Sequence, residues 1–337
     1  MRFAFHGGGS MTLDGSTDGF ALEAANDERV RDEHPSVVIR ELEGRRRPRG
    51  HVITFCNEKG GVGKSTLAFH CAAALAHRGM QVLVVDCDRR QQSLNRMLDA
   101  RDGTMRALQV ALPRPHHLVL DKQSGAVLAQ EIERAGGACD VVIIDLPGQD
   151  SALARRAIAL ADTVVTPVNC SPTDLDALGA INPVTRRFRQ AGVFAEVVTA
   201  LRAERTLRGH AAFDWIVAKN RVRRAEHRLI ESVDRNLETM AAQLGFRVAD
   251  GLTERLGYRE LTPFGLTQLD LRLIPGLGAA RSANLRELRQ LVDALQLPDK
   301  APARPAGRVA KPEAAPILAR AAQSYRDALC GTVPAAV

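Results

Sequence analysis

The chain has 337 residues, 45% of them hydrophobic, enough to bury the core of one large α/β domain or two small ones and too many for a disordered chain. Its 46 Lys and Arg outnumber 39 Asp and Glu, and the formal net charge of +7 suits an anionic partner without naming one. Six cysteines with no CxxC pair argue against a disulfide framework or a zinc site, and no run of about 18 apolar residues argues for a membrane-spanning helix.

The opening MRFAFHGGGS lacks the apolar run of a secretory signal, so a cytoplasmic protein is expected. Residues 1–47 show no sustained periodicity and end in Arg45, Arg46, Arg47, Pro48 and Arg49, which reads as a mobile N-terminal extension. The main domain is expected over 48–298. Residues 299–337 read as a linker rich in Ala, Pro and charge, then a short helix lined by Ile317, Leu318, Tyr325 and Leu329. The charge is uneven. Residues 1–50 are nearly neutral, with eight Arg against nine acids, whereas 186–224 hold ten Lys or Arg against three acids, a candidate anion-binding face.

Within the main domain, short β-branched runs alternate with amphipathic stretches, the pattern of parallel strands joined by crossover helices. Runs 52–56, 82–86, 141–145, 163–167 and 215–219 are apolar nearly throughout, as strands buried on both faces require. Helices are expected over 65–78, 151–161, 225–243 and 281–296. The predicted fold class is α/β, a doubly wound, mostly parallel sheet with helices on both faces.

Directly after the first strand comes Asn57-Glu58-Lys59-Gly60-Gly61-Val62-Gly63-Lys64-Ser65-Thr66, followed by an Ala-rich helix. A glycine-rich loop between strand and helix can curl its N–H groups around phosphate oxygens, so Gly60, Gly61, Val62, Gly63, Lys64, Ser65 and Thr66 form the candidate ATP cradle. Lys64 would reach the β and γ phosphates, and the Ser65 hydroxyl would ligate Mg²⁺. The second strand ends in Asp86-Cys87-Asp88: Asp88 is the candidate for orienting the attacking water and Asp86 for supporting Mg²⁺ through its waters. Another strand ends at Asp145, a candidate Mg²⁺ carboxylate, and runs into Pro147 and Gly148, a candidate γ-phosphate switch. Asn220, after the last strand, has the donor and acceptor to read adenine, although Asn at a strand end is also a common turn former.

The loop differs from the plain pattern by a second lysine, Lys59, and so resembles the deviant Walker P-loop ATPases that include ParA, MinD and the nitrogenase iron protein. In that family the matching lysine crosses the interface of an ATP-bound homodimer to reach the partner's nucleotide, much as an arginine finger does in trans. The second acid of the DxD pattern, here Asp88, controls hydrolysis. Asp214-Trp215-Ile216-Val217, Gly245-Phe246-Arg247-Val248, Tyr258-Arg259-Glu260-Leu261 and Pro263-Phe264-Gly265-Leu266-Thr267 narrow the resemblance to the MipZ ATPases, over about 50–297.

That resemblance implies slow ATP hydrolysis and an ATP dimer that binds chromosomal DNA without sequence preference. It also implies engagement of the centromere-binding protein ParB and placement of the division site by inhibiting FtsZ assembly, with the protein on the nucleoid. Arg223, Arg224, Arg228, Arg255 and Arg259 are the expected DNA face, unless they are ordinary solvated arginines. The short tail, with only Arg320 and Arg326 as cations, is too weak for stable membrane binding. Competing readings are a ParA-type partition ATPase, a cluster-bearing reductase for which Cys139 and Cys170 lack ligand context, and a non-hydrolysing scaffold, against which Lys64, Ser65, Asp88 and Asp145 all stand.

Overall fold

The computed structural model describes residues 33–223, 225–275, 277, 283–297 and 327–328. Among the described residues there are nine strands: β1 His51–Phe55, β2 Val82–Asp86, β3 His116–Val119, β4 Val141–Asp145, β5 Thr163–Asn169, β6 Gly179–Ile181, β7 Phe188–Ala191, β8 Asp214–Asn220 and β9 Arg247–Asp250. Seven make one sheet in the order β3-β2-β4-β1-β5-β8-β9, every pairing parallel, and β6 and β7 form a separate antiparallel hairpin.

The helices are α1 Pro35–Glu43, α2 Lys64–His77, α3 Ser93–Leu108, α4 Gly125–Ala135, α5 Ala152–Leu160, α6 Val193–Leu207, α7 His227–Leu244, α8 Leu256–Leu261 and α9 Ala283–Ala294. Strand side chains alternate between the sheet faces. Val52, Leu83, Val85, Val142, Ile144 and Val164 meet α1, α4, α5, α6 and α7 in one core. Ile53, Phe55, Val82, Val84, Ile143 and Val165 meet α2, α3, α8 and α9 in the other. This is the expected doubly wound α/β architecture, and its five central strands fall where the apolar runs lie.

The sheet's two edges, β3 (HHLV) and β9 (RVAD), are missing from the sequence reading, because an edge strand is only partly covered and needs no continuous apolar run. Amphipathic α3, α4 and α6 likewise lie outside the four expected helices.

The mobile extension expected over 1–47 is corrected at its C-terminal third. Pro35 occupies the first turn of α1, where its missing N–H costs nothing, and His34 Nδ1 accepts from Ser36 N at 3.2 Å as the N-cap. Val38 and Ile39 are buried against α5 and α6. Arg156 clamps Glu33 at 2.8 Å and Glu41 at 2.6 Å, and Arg47 holds Asp162 at 2.9 Å. One two-turn apolar stripe is too short to register as a period. Residues 1–32, the linker over 299–316 and all but 327–328 of the C-terminal helix lie outside the described residues.

Candidate nucleotide site

Parallel register brings the candidate chemistry together. Asp145 pairs with Phe55 on one side and with Asp86 on the other, so β1, β2 and β4 end level, and Lys64 and Ser65 at the end of the loop after β1 lie beside Asp145. Asn57 shapes that loop: its amide donates to Pro167 O at 2.8 Å and its carbonyl accepts from Lys59 N at 2.9 Å. Gly61 and Gly63 have φ of 77° and 89°, the left-handed region that a side chain disfavours. Gly63 caps α2 without a side-chain bond, and no acid stands in the helix's first turn, so its N–H groups and positive dipole end face the loop concavity.

Lys64 is buried, and its ammonium donates to Lys59 O at 3.2 Å within the loop. Burial lowers its pKa, against the pull of Asp145, Cys56 and Asp88. Ser65 and Thr66 follow on the first turn of α2. Gly148 is needed for proximity: a Cβ there would stand 3.3 Å from both Glu58 O and Lys64 Nζ, so the loop after β4, with Pro147, can lie directly on the phosphate loop.

Asp145 is the least satisfied group in the site. Both carboxylate oxygens are buried with no completed hydrogen bond, and burial pushes the carboxyl up to about 8, although the nearby Ser65 hydroxyl and Lys64 pull it down. Such an acceptor is costly unless something arrives to use it. A divalent cation fits this donor set: an orphaned carboxylate beside a hydroxyl.

Asp86 is buried too, but its oxygens accept from Asp88 N at 2.9 Å and Asn95 N at 3.0 Å, tying β2 to α3. Burial raises its pKa and those bonds oppose the rise. Asp88 is half-buried, with Oδ1 accepting from Arg90 N at 3.2 Å and Gln91 N at 3.0 Å, which holds the turn before α3.

Two side chains stand differently from the sequence reading. Lys59, expected to reach across a dimer, is here held by its own chain: its ammonium pairs with Asp174 in the turn Pro172–Asp174 and donates to Thr173 O at 3.3 Å. Asn220, expected at the base edge, is engaged by the fold. Its amide donates to Val62 O at 2.9 Å and its carbonyl accepts from Leu252 N at 3.4 Å, making it a strut under the phosphate loop. Asn57 and Asp174 are site residues the sequence reading missed. Asn57 was visible as a short polar side chain opening the loop; Asp174 carried no local signal.

The expected DNA arginines divide. Arg223 pairs with Glu254 and Arg255 with Glu287 at 2.5 Å, so carboxylates neutralise both. Arg228 and Arg259 are exposed, and Arg224 lies outside the described residues.

Residues 51–299 match a family model described as ATPase MipZ. The chain belongs to the MipZ family of ATPases. Membership makes it a P-loop ATPase of the wider ParA and MinD group, as its loop implied. Among curated relatives, protein ParA of Rhizobium radiobacter is 34% identical over 163 residues, covering 45% of this chain and 67% of that one. The chromosome-partitioning ATPase Soj of Thermus thermophilus is 29% identical over 209 residues, 52% of this chain and 83% of that one. The carboxysome-distribution protein A of Gloeobacter kilaueensis is 33% identical over 178 residues, 49% and 76%. The solved structure of apo McdA from Cyanothece superposes with a TM-score of 0.50 at 15% identity, covering 73% of this chain and 100% of that one, a likeness of fold. Among the described residues of this MipZ-family chain, no helix is long and apolar enough to cross a membrane.

Proposed function

We propose that this ATPase is an ATP-gated dimerisation switch that binds DNA without sequence preference and positions the division site. The observation that carries the reading is the buried, unsatisfied Asp145 carboxylate between Ser65 and Lys64, under a loop that offers backbone N–H groups to phosphate. In this reading Lys64 leaves the Lys59 carbonyl for the β and γ phosphates, and Gly60 to Thr66 cradle them. Ser65 and Asp145 would hold Mg²⁺, with Asp86 supporting it, and the ion would supply charge neutralisation on the phosphate oxygens. Asp88 orients the attacking water, and Pro147 with Gly148 follow the γ phosphate. Lys59 exchanges Asp174 for the nucleotide of a second copy, so that hydrolysis is slow until the dimer forms.

DNA is held by exposed arginines, among them Arg228 and Arg259, with dimerisation doubling the array. ParB and FtsZ are the proposed protein partners, as in the family that the chain belongs to, and the proposed location is the nucleoid. The relatives named for chromosome partitioning favour a second reading, a ParA-type partition ATPase. Sedimentation of Asp88→Ala with ATP or ADP, each with and without a random-sequence duplex, tests the switch. A dimer only in ATP that alone binds DNA supports it; a monomer in ATP refutes it. Inhibition of FtsZ polymerisation by the ATP dimer then separates division placement from partition.

A further inference from the structure

The ten cations between residues 186 and 224 are not equivalent once folded. Arg202 is spent on Gly245 O at 2.5 Å, and Arg205 is buried under carbonyls of Ala159 and Ala161. Arg208 pairs with Glu204 and Glu43, Lys219 with Asp234 and Asp250, and Arg223 with Glu254. Arg224 is outside the described residues. Four arginines remain, each exposed and without an ion pair to any described residue: Arg186, Arg187 and Arg189 on the β6–β7 hairpin, and Arg221 after β8.

The hairpin is built to present its three. Its turn is closed by Asn182, whose side chain accepts from Val184 N and Thr185 N at 2.9 Å each, while its backbone bonds those of Arg186 and Arg187 at 2.9 Å. Phe188 points inward onto the core that Leu229 of α7 also joins, so Arg189, next along the strand, points outward. β7 packs against α7, which carries exposed Arg228 near its start, so the cations of hairpin and helix lie on neighbouring elements. No acid occurs between Asp176 and Glu196 to offset them. The same segment leads back to Thr173 and Asp174, which hold Lys59, so the hairpin is rooted beside the nucleotide loop.

We infer that Arg186, Arg187 and Arg189 form a phosphate-binding edge for duplex DNA, continuous with Arg228. The inference rests on the proposed DNA binding and narrows the anion-binding stretch expected over 186–224 to three arginines that are not among the five expected on the DNA face. Three exposed cations, no acid and no exposed aromatic ring on the hairpin suit backbone phosphates rather than base recognition.

The test is binding of a fluorescent random-sequence duplex to the full chain in ATP, from low to moderate salt. Each lost phosphate contact lowers the slope of log affinity against log salt by about 0.9, so Arg186→Ala/Arg187→Ala/Arg189→Ala should lower it by about 2.7 for each protomer bound. ATPase activity without DNA should be unchanged. The triple Lys variant should recover most of the slope, because phosphate contact needs charge rather than a guanidinium fork; a purely structural role would not be rescued this way. An unchanged slope and affinity in the Ala variant, with loss on Arg228→Ala, overturns the hairpin and spares the DNA reading. No DNA binding by the unmodified chain in ATP overturns both.

Discussion

The nucleotide end of the sheet and the knot around Asp270 both bury charge, and they treat it oppositely. In the knot, Arg101 is fully buried and meets Asp270 through two bonds of 2.8 and 2.6 Å. Asp270 also accepts from Thr267 N at 2.6 Å and Thr267 Oγ1 at 2.9 Å, and bonds His77 at 2.7 Å. Arg101 fills its remaining donors with Pro113 O at 3.0 and 2.9 Å and Gly265 O at 3.1 Å. Burial would raise the Asp270 pKa, but its bonds with Arg101 and His77 win and hold it well below the usual carboxylate range. At Asp145 burial wins. A carboxyl that serves the fold is ionised and satisfied within it, and one that serves a ligand is left unpaired with its charge suppressed by burial, at a cost to the protein.

The largest effect expected is at the knot. Asp270→Ala strands the buried Arg101 guanidinium and should cost about 3–5 kcal/mol, read as a lower denaturation midpoint with an unchanged denaturant slope. Lys64→Ala should do the reverse. Losing one preorganised donor to the phosphates should lower turnover by about 10²–10³-fold in a phosphate-release assay, with no fall in melting temperature because a buried cation is removed.

The contrast also shows through pH. The Asp145 pKa is raised from 3.8 to about 8, so between those values the native state keeps a proton that the unfolded state has lost, and stability falls as pH rises. Asp145→Asn should make that fall shallower in melts of nucleotide-free protein from pH 4 to 8, leaving the part that buried Asp86 contributes. Asp270, with its pKa depressed, stabilises above pH 3.8 and loses that contribution only as pH falls below it. A curve for Asp145→Asn as steep as that of the unmodified chain would contradict this contrast. The smallest effect is at Asp174. Its pair with half-exposed Lys59 is worth about 1 kcal/mol or less, so Asp174→Ala should barely move the melting temperature. It should strengthen the ATP dimer by up to about fivefold for each of the two pairs relieved, about 25-fold for the dimer in sedimentation, since Lys59 no longer has a competitor in its own chain.

The knot also gives part of the family pattern a packing role. Gly265 has φ of 62°, and a Cβ there would come within 2.1 Å of Arg101 N, so the Pro263-Phe264-Gly265 stretch docks tightly on α3. Arg255 and Glu287 do similar work between the segment before α8 and α9. Pro263, Phe264 and Gly265 are legible in the sequence as a resemblance but not as packing, and Arg255, expected on the DNA face, is paired with Glu287 instead.

The amino-acid sequence alone determined the phosphate loop, the two strand-end acids beside it and the five central strands. Each is written in consecutive residues: a loop is local, and a strand covered on both faces must be apolar throughout. Only the tertiary structure decided which charges are used up. Arg47 finds Asp162, Arg156 finds Glu33 and Glu41, Lys59 finds Asp174 and Arg223 finds Glu254, all across long stretches of chain. An arginine looks the same in sequence whether or not an acid will fold against it, so the hairpin's unpaired arginines could be told from their neutralised neighbours only after the chain had closed on itself.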